Sequence, residues 1–512
     1  MAVPSESEQP NQVEGFDDVE ILHPVVELIL PVECREEPDL LLINLPSSVH
    51  PQDGRDHTDR SRSAGLEWMA ELINEVSLEG VEEPFKAAVF DAYMGFGAQM
   101  ISLDEIETAI EASKPKLVGI NPTSVNLEAG LAVAEICDRK NIPYIVGGIH
   151  ASIDPQGIAE LFPSAFATVR GSGPSVIREI IYASQNEGSL MNLSGVSQPK
   201  YNNVRENYAT KTLPMDEIPP SQPYKYGKYH GHVHEEYGRE VSMVFSEGCP
   251  CACTFCASPV VSGKFAEGVK PYRRFSIERI MREIEQAYES GVRALHILDD
   301  NFLLTAKHAK EIASALIKFN SNKEDPVYWR ALARADVIAR IDDETMSQLK
   351  ESGAWRIAIG IESGDEQILK KTNKNIDKKI VLKALRRLKD AEIETKGFFI
   401  MGFPDETREQ ILKTKKFILK LQKDGLLDEV ALFQFKPYPG TEEYQKLEAQ
   451  GISIPKVFTR DPRRNSTDLN KGATRQLAMD QKMDPDLGIA EITAGEVAEI
   501  IGETLGIFYP PE

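Results

Sequence analysis

Twice along this chain, short apolar runs alternate with segments of helical periodicity, and that alternation restricts the fold more than any other feature. The first series comprises residues 39–46, 86–90, 116–121, 143–147 and 166–170. Between its third and fourth runs, Leu127, Leu131, Val133, Ala134 and Cys137 share one face of a helical pattern. Strands separated by helices pair in parallel through right-handed crossovers, so residues 38–190 are expected to form an α/β domain with a Rossmann-like parallel sheet. The second series comprises 240–246, 293–298, 327–333, 356–360, 394–400 and 429–435. One of its helices is well marked, with Ser276 as N-cap, Glu278 in the first turn, Ile277, Ile280, Met281 and Ile284 inward, and Gly291 as stop. Six such units predict a partial (β/α)6 barrel over 236–450. In both architectures ligands collect at the carboxyl ends of the strands. Residues 191–235, with Pro199, Pro214, Pro219, Pro220 and Pro223, read as a linker. Residues 451–512 form a C-terminal extension with a helix expected over 496–506.

Charge and composition exclude several classes. The formal net charge is -22, and in residues 1–37 ten acids face the single base Arg35, the pattern of a solvated, disordered tail. Such a balance repels nucleic-acid phosphates; the bases over 370–389 fall on the wet face of an amphipathic helix. No run of about 18 apolar residues marks a membrane span, and no basic-then-apolar leader opens the chain. The expectation is a cytoplasmic protein with neither membrane nor nucleic-acid partner.

Of six cysteines, Cys34 and Cys137 stand alone, while Cys249, Cys251, Cys253 and Cys256 fall within eight residues, directly after the first run of the second series. A disulfide framework spreads its cysteines; a metal site concentrates them. Thiolates from Cys249, Cys253 and Cys256 can hold three irons of a 4Fe–4S cluster, leaving the fourth iron open to an amino and a carboxylate group of a substrate. A zinc site is the alternative, although structural zinc wants four ligands, often from two separated knuckles, and no second knuckle is present. Cys251 is a spare.

The stretch Ser246-Glu-Gly-Cys-Pro-Cys-Ala-Cys-Thr-Phe-Cys256 resembles the Cys-x3-Cys-x2-Cys signature of the radical S-adenosylmethionine (SAM) superfamily, including the aromatic Phe255, whose backbone contacts adenine in that family. The resemblance continues through Asp299-Asp-Asn-Phe302, Gly360-Ile-Glu-Ser363, Gly397-Phe-Phe-Ile-Met-Gly-Phe-Pro404 and Pro437-Tyr-Pro-Gly-Thr441, each at or after a successive strand end. It implies SAM contacts from Phe255, Asp299, Asp300, Asn301, Arg334, Glu362 and Ser363. The aspartates suit the ammonium, Arg334 the carboxylate, and Glu362 and Ser363 the ribose or carboxylate. The plainer role for each is to cap or turn the backbone at a strand end.

The upstream domain resembles the cobalamin-binding domain of class B radical SAM enzymes. Val146-Gly-Gly-Ile-His-Ala-Ser152 is similar to that family's Gly-Gly-Pro-His-Ala segment, with Ile149 replacing proline, and Val169-Arg-Gly-Ser-Gly-Pro-Ser175 to its Arg-Gly-Glu-Gly-Glu segment, with both glutamates missing. The Asp-x-His-x-x-Gly motif that supplies a cobalt ligand elsewhere is absent, as is usual in class B. The resemblance implies cobalamin contacts from Asn121, Thr123, Ser124, Asn126, Gly147, Gly148, His150, Gly171 and Gly173, with His150 orienting backbone or corrin amides instead of ligating cobalt. A cofactor-free interaction domain is the alternative.

The activity so implied is reductive SAM cleavage, hydrogen abstraction from an unactivated carbon and methyl transfer from cobalamin to a carbon (or phosphorus) of a small or specialised metabolite. A one-electron reductant such as flavodoxin or ferredoxin is the implied partner. Two alternatives stay open: a rearrangement or cyclisation without methyl transfer, and a non-catalytic iron–sulfur electron carrier or sensor. A methylthiotransferase would need three further cysteines for a second cluster. His230, His232, His234, Tyr224, Tyr226, Tyr229 and Tyr438 are expected either to cover the barrel or to meet substrate.

Overall fold

The computed structural model describes residues 37–45, 64–92, 103–452 (except 125, 187, 206, 210–212, 222–232, 265 and 268), 454 and 489–509. The acidic tail, Cys34, Tyr224, Tyr226, Tyr229, His230, His232 and most of the C-terminal extension lie outside these residues.

Five strands, β1 (Leu40–Asn44), β2 (Ala87–Asp91), β3 (Val118–Ile120), β4 (Tyr144–Val146) and β5 (Ala167–Val169), pair in parallel in the order β2-β1-β3-β4-β5. The order reverses between β1 and β3, so a crevice opens there at the carboxyl edge. Both faces are covered: Leu41, Ile43, Phe90 and Val118 pack with the helix Leu127–Lys140, and Leu40, Leu42 and Val89 with the helices Ala64–Glu75 and Ile177–Gln185. The segment from 191 is more than a crossing. Its strand β6 (Val196–Ser197) runs antiparallel to β5, and Ala209 donates its N–H to the Arg170 carbonyl, so this stretch completes the sheet's open edge.

The second sheet starts with β7 (Val233–His234) antiparallel to β8 (Gly238–Met243). After a two-stranded ribbon of β9 (Ser246–Gly248) and β10 (Tyr272–Arg274), it continues through β11 (Ala294–Ile297), β12 (Tyr328–Ala333), β13 (Ala354–Glu362), β14 (Glu394–Met401) and β15 (Glu429–Gln434). The six strands β8 and β11–β15 are parallel neighbours in that order, the expected half-barrel. Their convex residues, among them Val241, Ile297, Trp329, Ile359 and Phe399, are buried against the outer helices.

The concave face is charged near the foot of the barrel. Glu240 takes Arg330 on both oxygens at 2.6 and 2.9 Å; Arg356 reaches Glu394 and Glu429 at 2.8 Å each; and Lys396 pairs with Glu429 at 2.5 Å. Below these pairs Tyr237 lies on Tyr328 and Trp355, and His234 stacks on Tyr237. His234 therefore covers the foot, the end opposite the cysteines.

The two sheets are locked together. Trp68, from the first domain, is buried edge-on against Phe275 at 5.0 Å and donates its indole N–H to Glu283 at 3.3 Å. Glu283 is in turn held by Arg279 at 2.7 Å.

Candidate active site

The cysteine loop begins where β9 turns away from the barrel. Gly248 has φ +77°, and a Cβ there would meet the Pro271 carbonyl at 2.2 Å, so only glycine fits the turn. Backbone contacts hold the loop from outside: Thr254 donates its N–H to Thr372, the Thr254 carbonyl accepts from Glu443, and Asn373 donates its amide to the Ala252 carbonyl at 2.6 Å. The ring of Phe255 packs edge-on against Phe403 at 5.4 Å, in a small apolar cluster with Phe435 and Ile368.

All four loop cysteines are free and half-exposed. Burial pushes the Cys256 thiol up to about 12, so a metal must displace its proton. Burial also raises Cys253, opposed by the nearby Lys374 and Arg334 cations. Among the described residues no three cysteine, histidine or carboxylate groups converge on one ion. A zinc tetrahedron would gather its sulfurs to about 4 Å from one another, given Zn–S of ~2.3 Å. Three thiolates on separate irons of a cubane stand further apart than that.

The strand-end residues divide into two groups. Asp300, Arg334 and Glu362 reach the cysteine side. Asp300 lines a cavity and accepts from Ser258 at 2.5 Å. Arg334 pairs with Asp336 at 2.8 Å and donates to the Lys374 carbonyl at 3.0 Å. Glu362 sits at φ +66°, where the β13–β14 register shifts, and meets the Lys374 ammonium at 2.7 Å. Both members are nearly buried, and a Cβ on Gly360 would fall 2.4 Å from the Glu362 carboxylate and 2.7 Å from Lys374 Nζ. Burial alone would pull the lysine down, but Glu362 and Cys253 hold its pKa above the ordinary value.

In the other group Asp299 and Ser363 are occupied by the protein itself, while Asn301 is not. Asp299 accepts from the Phe245 N–H at 2.6 Å and the Ser246 hydroxyl at 2.5 Å, fixing the entrance to the cysteine loop, and burial raises its pKa to about 7. Ser363 is buried against Thr414 at 3.0 Å and accepts from Asp365 N–H. Asn301 is buried with neither amide atom paired among the described residues. Lys374 escaped the sequence reading because it reaches Glu362 from a loop 12 residues further on, with no motif to flag it.

A cavity of about 630 Å³ joins the carboxyl edge of the first sheet to this loop. Asn121, Gly147, Gly148, Gly171 and Gly173 form one wall; Cys256, Asp300 and Val261 form part of the other. Ile149 stands 48% exposed on it. Gly148 has φ +87°, and a Cβ there would come 1.6 Å from Asn121 Oδ1, so the Asn121 amide occupies the space a side chain would need. Arg273 bridges the domains at the rim, donating to Ser172 Oγ at 3.2 Å while paired with Glu247.

Thr123, Ser124, Asn126 and His150 do not line this cavity. Asn126 accepts from Thr123 N–H at 2.6 Å, closing a tight turn. His150 is fully buried, hydrogen-bonded through Nδ1 to Ser124 at 2.9 Å, and burial lowers its pKa, so it is a neutral brace under the loop. These four brace the loop that follows Asn121; the cavity wall at this edge combines the glycine backbone with apolar side chains such as Met69, Ile149 and Ile177.

Residues 243–418 match the model of the radical SAM superfamily. An uncharacterized methyltransferase of Pyrococcus horikoshii is 27% identical over 80% of this chain and 82% of its own length. The anaerobic magnesium-protoporphyrin IX monomethyl ester cyclase of Cereibacter sphaeroides is 24% identical over 78% of this chain but only 63% of its own length. Among solved structures, the radical SAM methyltransferase TsrM of Kitasatospora setae, with cobalamin and a 4Fe–4S cluster bound, superposes with a TM-score of 0.65 over 92% of this chain and 91% of that one, at 14% identity. Residues 243–418 therefore form a radical SAM domain, and the chain around them shares the fold of cobalamin-bound TsrM.

Proposed function

We propose that this protein is a cobalamin-dependent radical SAM methyltransferase acting on an unactivated carbon (or phosphorus) of a small molecule. The cavity carries the reading, because one continuous apolar space touches the glycine-lined edge of a nucleotide-type sheet and the cysteine loop of a half-barrel. A flat cofactor resting on Gly147, Gly148, Gly171 and Gly173 would face a sulfonium compound held at the cluster. When bound, the cluster supplies the electron that cleaves SAM and cobalamin supplies the methyl group.

The chain's own residues hold, orient and exclude water. Cys249, Cys253 and Cys256 would hold the cluster, with one iron free of protein ligands for SAM. Asp300 faces the cavity as an acceptor for an ammonium, and Arg334 and the Glu362–Lys374 pair lie beside Cys253 for carboxylate and ribose. Asp299 and Ser363 hold the backbone beside those groups in place. On the other wall Asn121 presents an amide next to the Thr123–Asn126 turn and the Ser124–His150 contact, and no imidazole reaches the cavity among the described residues. The predominantly apolar lining keeps water from a radical intermediate. A one-electron donor such as flavodoxin or ferredoxin would complete the cycle.

The test is anaerobic reconstitution with iron, sulfide and hydroxocobalamin, followed by SAM turnover on candidate metabolites under a strong reductant. Methyl transfer yields both S-adenosylhomocysteine and 5′-deoxyadenosine. 5′-Deoxyadenosine alone moves the reading to rearrangement or cyclisation, which the similarity to a cyclase favours as second choice. Neither product leaves an electron carrier.

A further inference from the structure

The concave wall of the half-barrel, above its ion-paired foot, has no part in the assignments above. Parallel register puts Gly360, Phe398 and Ala431 in one row across β13–β15, with Phe433 a row nearer the mouth. Phe398 and Phe433 stack with centroids 6.2 Å apart and planes within 16°. Phe433 is left 36% exposed although it sits on a barrel strand; the Glu362–Lys374 pair fills the place in front of Gly360, while Ala431 presents only a methyl group beside the stacked rings. Deeper in the same lumen, register sets His296 between Ser242 and Arg330. Its ring is half-exposed and makes no hydrogen bond among the described residues.

The charges around this space are matched. Glu240, Glu394 and Glu429 answer Arg330, Arg356 and Lys396. An anion or cation entering the lumen would lose hydration and find no unpaired counter-charge among these groups. Burial, reinforced by the Arg330, Lys396 and Arg356 cations, holds His296 neutral. A neutral imidazole offers one donor and one acceptor.

We propose that the half-barrel lumen binds an uncharged aromatic portion of the substrate, stacked on the Phe433–Phe398 shelf, with His296 hydrogen-bonding a ring N–H or hydroxyl. This deepens the methyltransferase reading and rests on it for the identity of the bound molecule as substrate. A planar ring offset-stacks on an exposed phenylalanine, and the imidazole, which makes no hydrogen bond among the described residues, is the polar contact that would set its orientation.

Equilibrium dialysis of the reconstituted holoenzyme with indole, N-methylindole and benzoate tests the assignment. Indole is expected to bind at least about tenfold more tightly than benzoate, since only benzoate must bury a charge. Phe433→Ala should weaken indole about tenfold, and Phe433→Leu, which keeps the bulk, by less. His296→Leu should weaken indole about fivefold and leave N-methylindole unchanged, while His296→Gln, a neutral hydrogen-bonding replacement, restores indole. Benzoate binding as tightly as indole, or Phe433→Ala and His296→Leu both without effect on indole, overturns the proposal. 5′-Deoxyadenosine formation in the same samples separates the two readings. Indole binding without SAM cleavage sinks the methyltransferase and keeps the aromatic pocket; SAM cleavage without indole binding does the reverse.

Discussion

Replacing Lys374 with methionine asks whether the Glu362–Lys374 pair is a designed part of the SAM site. At 2.7 Å and an effective dielectric of about 20, the two charges attract by about 6 kcal/mol. Desolvating both ions costs several kcal/mol each, so the intact pair is worth little to net stability. Lys374→Met is different: it strands the Glu362 carboxylate, 9% exposed, and should cost about 3–5 kcal/mol. The φ of +66° at Glu362 adds about 1–3 kcal/mol of strain that the pair helps to contain. Glu362→Gln/Lys374→Met leaves no orphan charge and should recover most of the loss, to within about 1–2 kcal/mol of the parent. Because the folded pKa of Lys374 lies above the unfolded 10.5, the contribution is complete below that value and fades only as pH climbs through the folded pKa. Anaerobic urea titrations at pH 7.5 measure stability, and equilibrium dialysis measures SAM affinity, which both variants should lose. A single variant as stable as the parent, or a double variant no better than the single, would show that the pair is an unimportant surface contact.

Three further outcomes follow from the same geometry. Cys251→Ser should retain the parent's iron and sulfide after anaerobic reconstitution, whereas Cys253→Ser should lose the cluster's absorbance; equal loss in both would make Cys251 a ligand. His150→Leu should leave the electron paramagnetic resonance spectrum of bound cob(II)alamin unchanged, since the ring faces Ser124 and not the cavity, while cobalamin affinity falls modestly; altered nitrogen hyperfine structure would place His150 on cobalt. Asp299 and Glu406 both have pKa values raised to about 7 by burial, so the folded chain keeps protons that the unfolded chain has lost. Stability should fall from about pH 4 to pH 7 and level off above, by up to about 4 kcal/mol per group. Asp299→Asn should remove about half of that slope in urea titrations from pH 4.5 to 8; an unchanged slope would mean Asp299 is ionised throughout.

Much of this architecture was legible because parallel strands buried on one or both faces read as short apolar runs, and the helices between them carry their own period. The runs at 327–333 and 394–400 fall almost residue for residue on β12 and β14. What periodicity does not show is which polar atoms a strand end leaves free. Asp299 and Asp300 are adjacent and chemically identical, yet one is consumed by Phe245 and Ser246 while the other faces the cavity; the difference is one residue's turn at the end of β11. Likewise the register shift between Gly360 and Glu362 reverses the direction of Glu362 and brings it to Lys374, and no local pattern encodes that shift. The Gly-Gly-Ile-His segment misleads in another way: its histidine is the most reactive group in sight, but the glycines form the wall and His150 only supports it.

The placement of the cavity explains why two domains are needed. A parallel sheet offers its ligand a wall of backbone and small residues, which suits a large planar group but supplies little electrostatic grip. The half-barrel offers thiolates and paired charges, yet its own mouth stays open where the cysteine loop leaves the strands. Bringing the two carboxyl edges face to face closes each with the other, and Trp68, buried in the barrel's core from the first domain, fixes their separation. Arg273, tied at once to Glu247 beside the cysteine loop and to Ser172 in the glycine loop, carries any shift of one wall to the other. The reacting atoms would lie between two rigid scaffolds, so their distance is set by domain packing and not by a flexible loop, the condition that hydrogen abstraction and methyl transfer at one carbon both require.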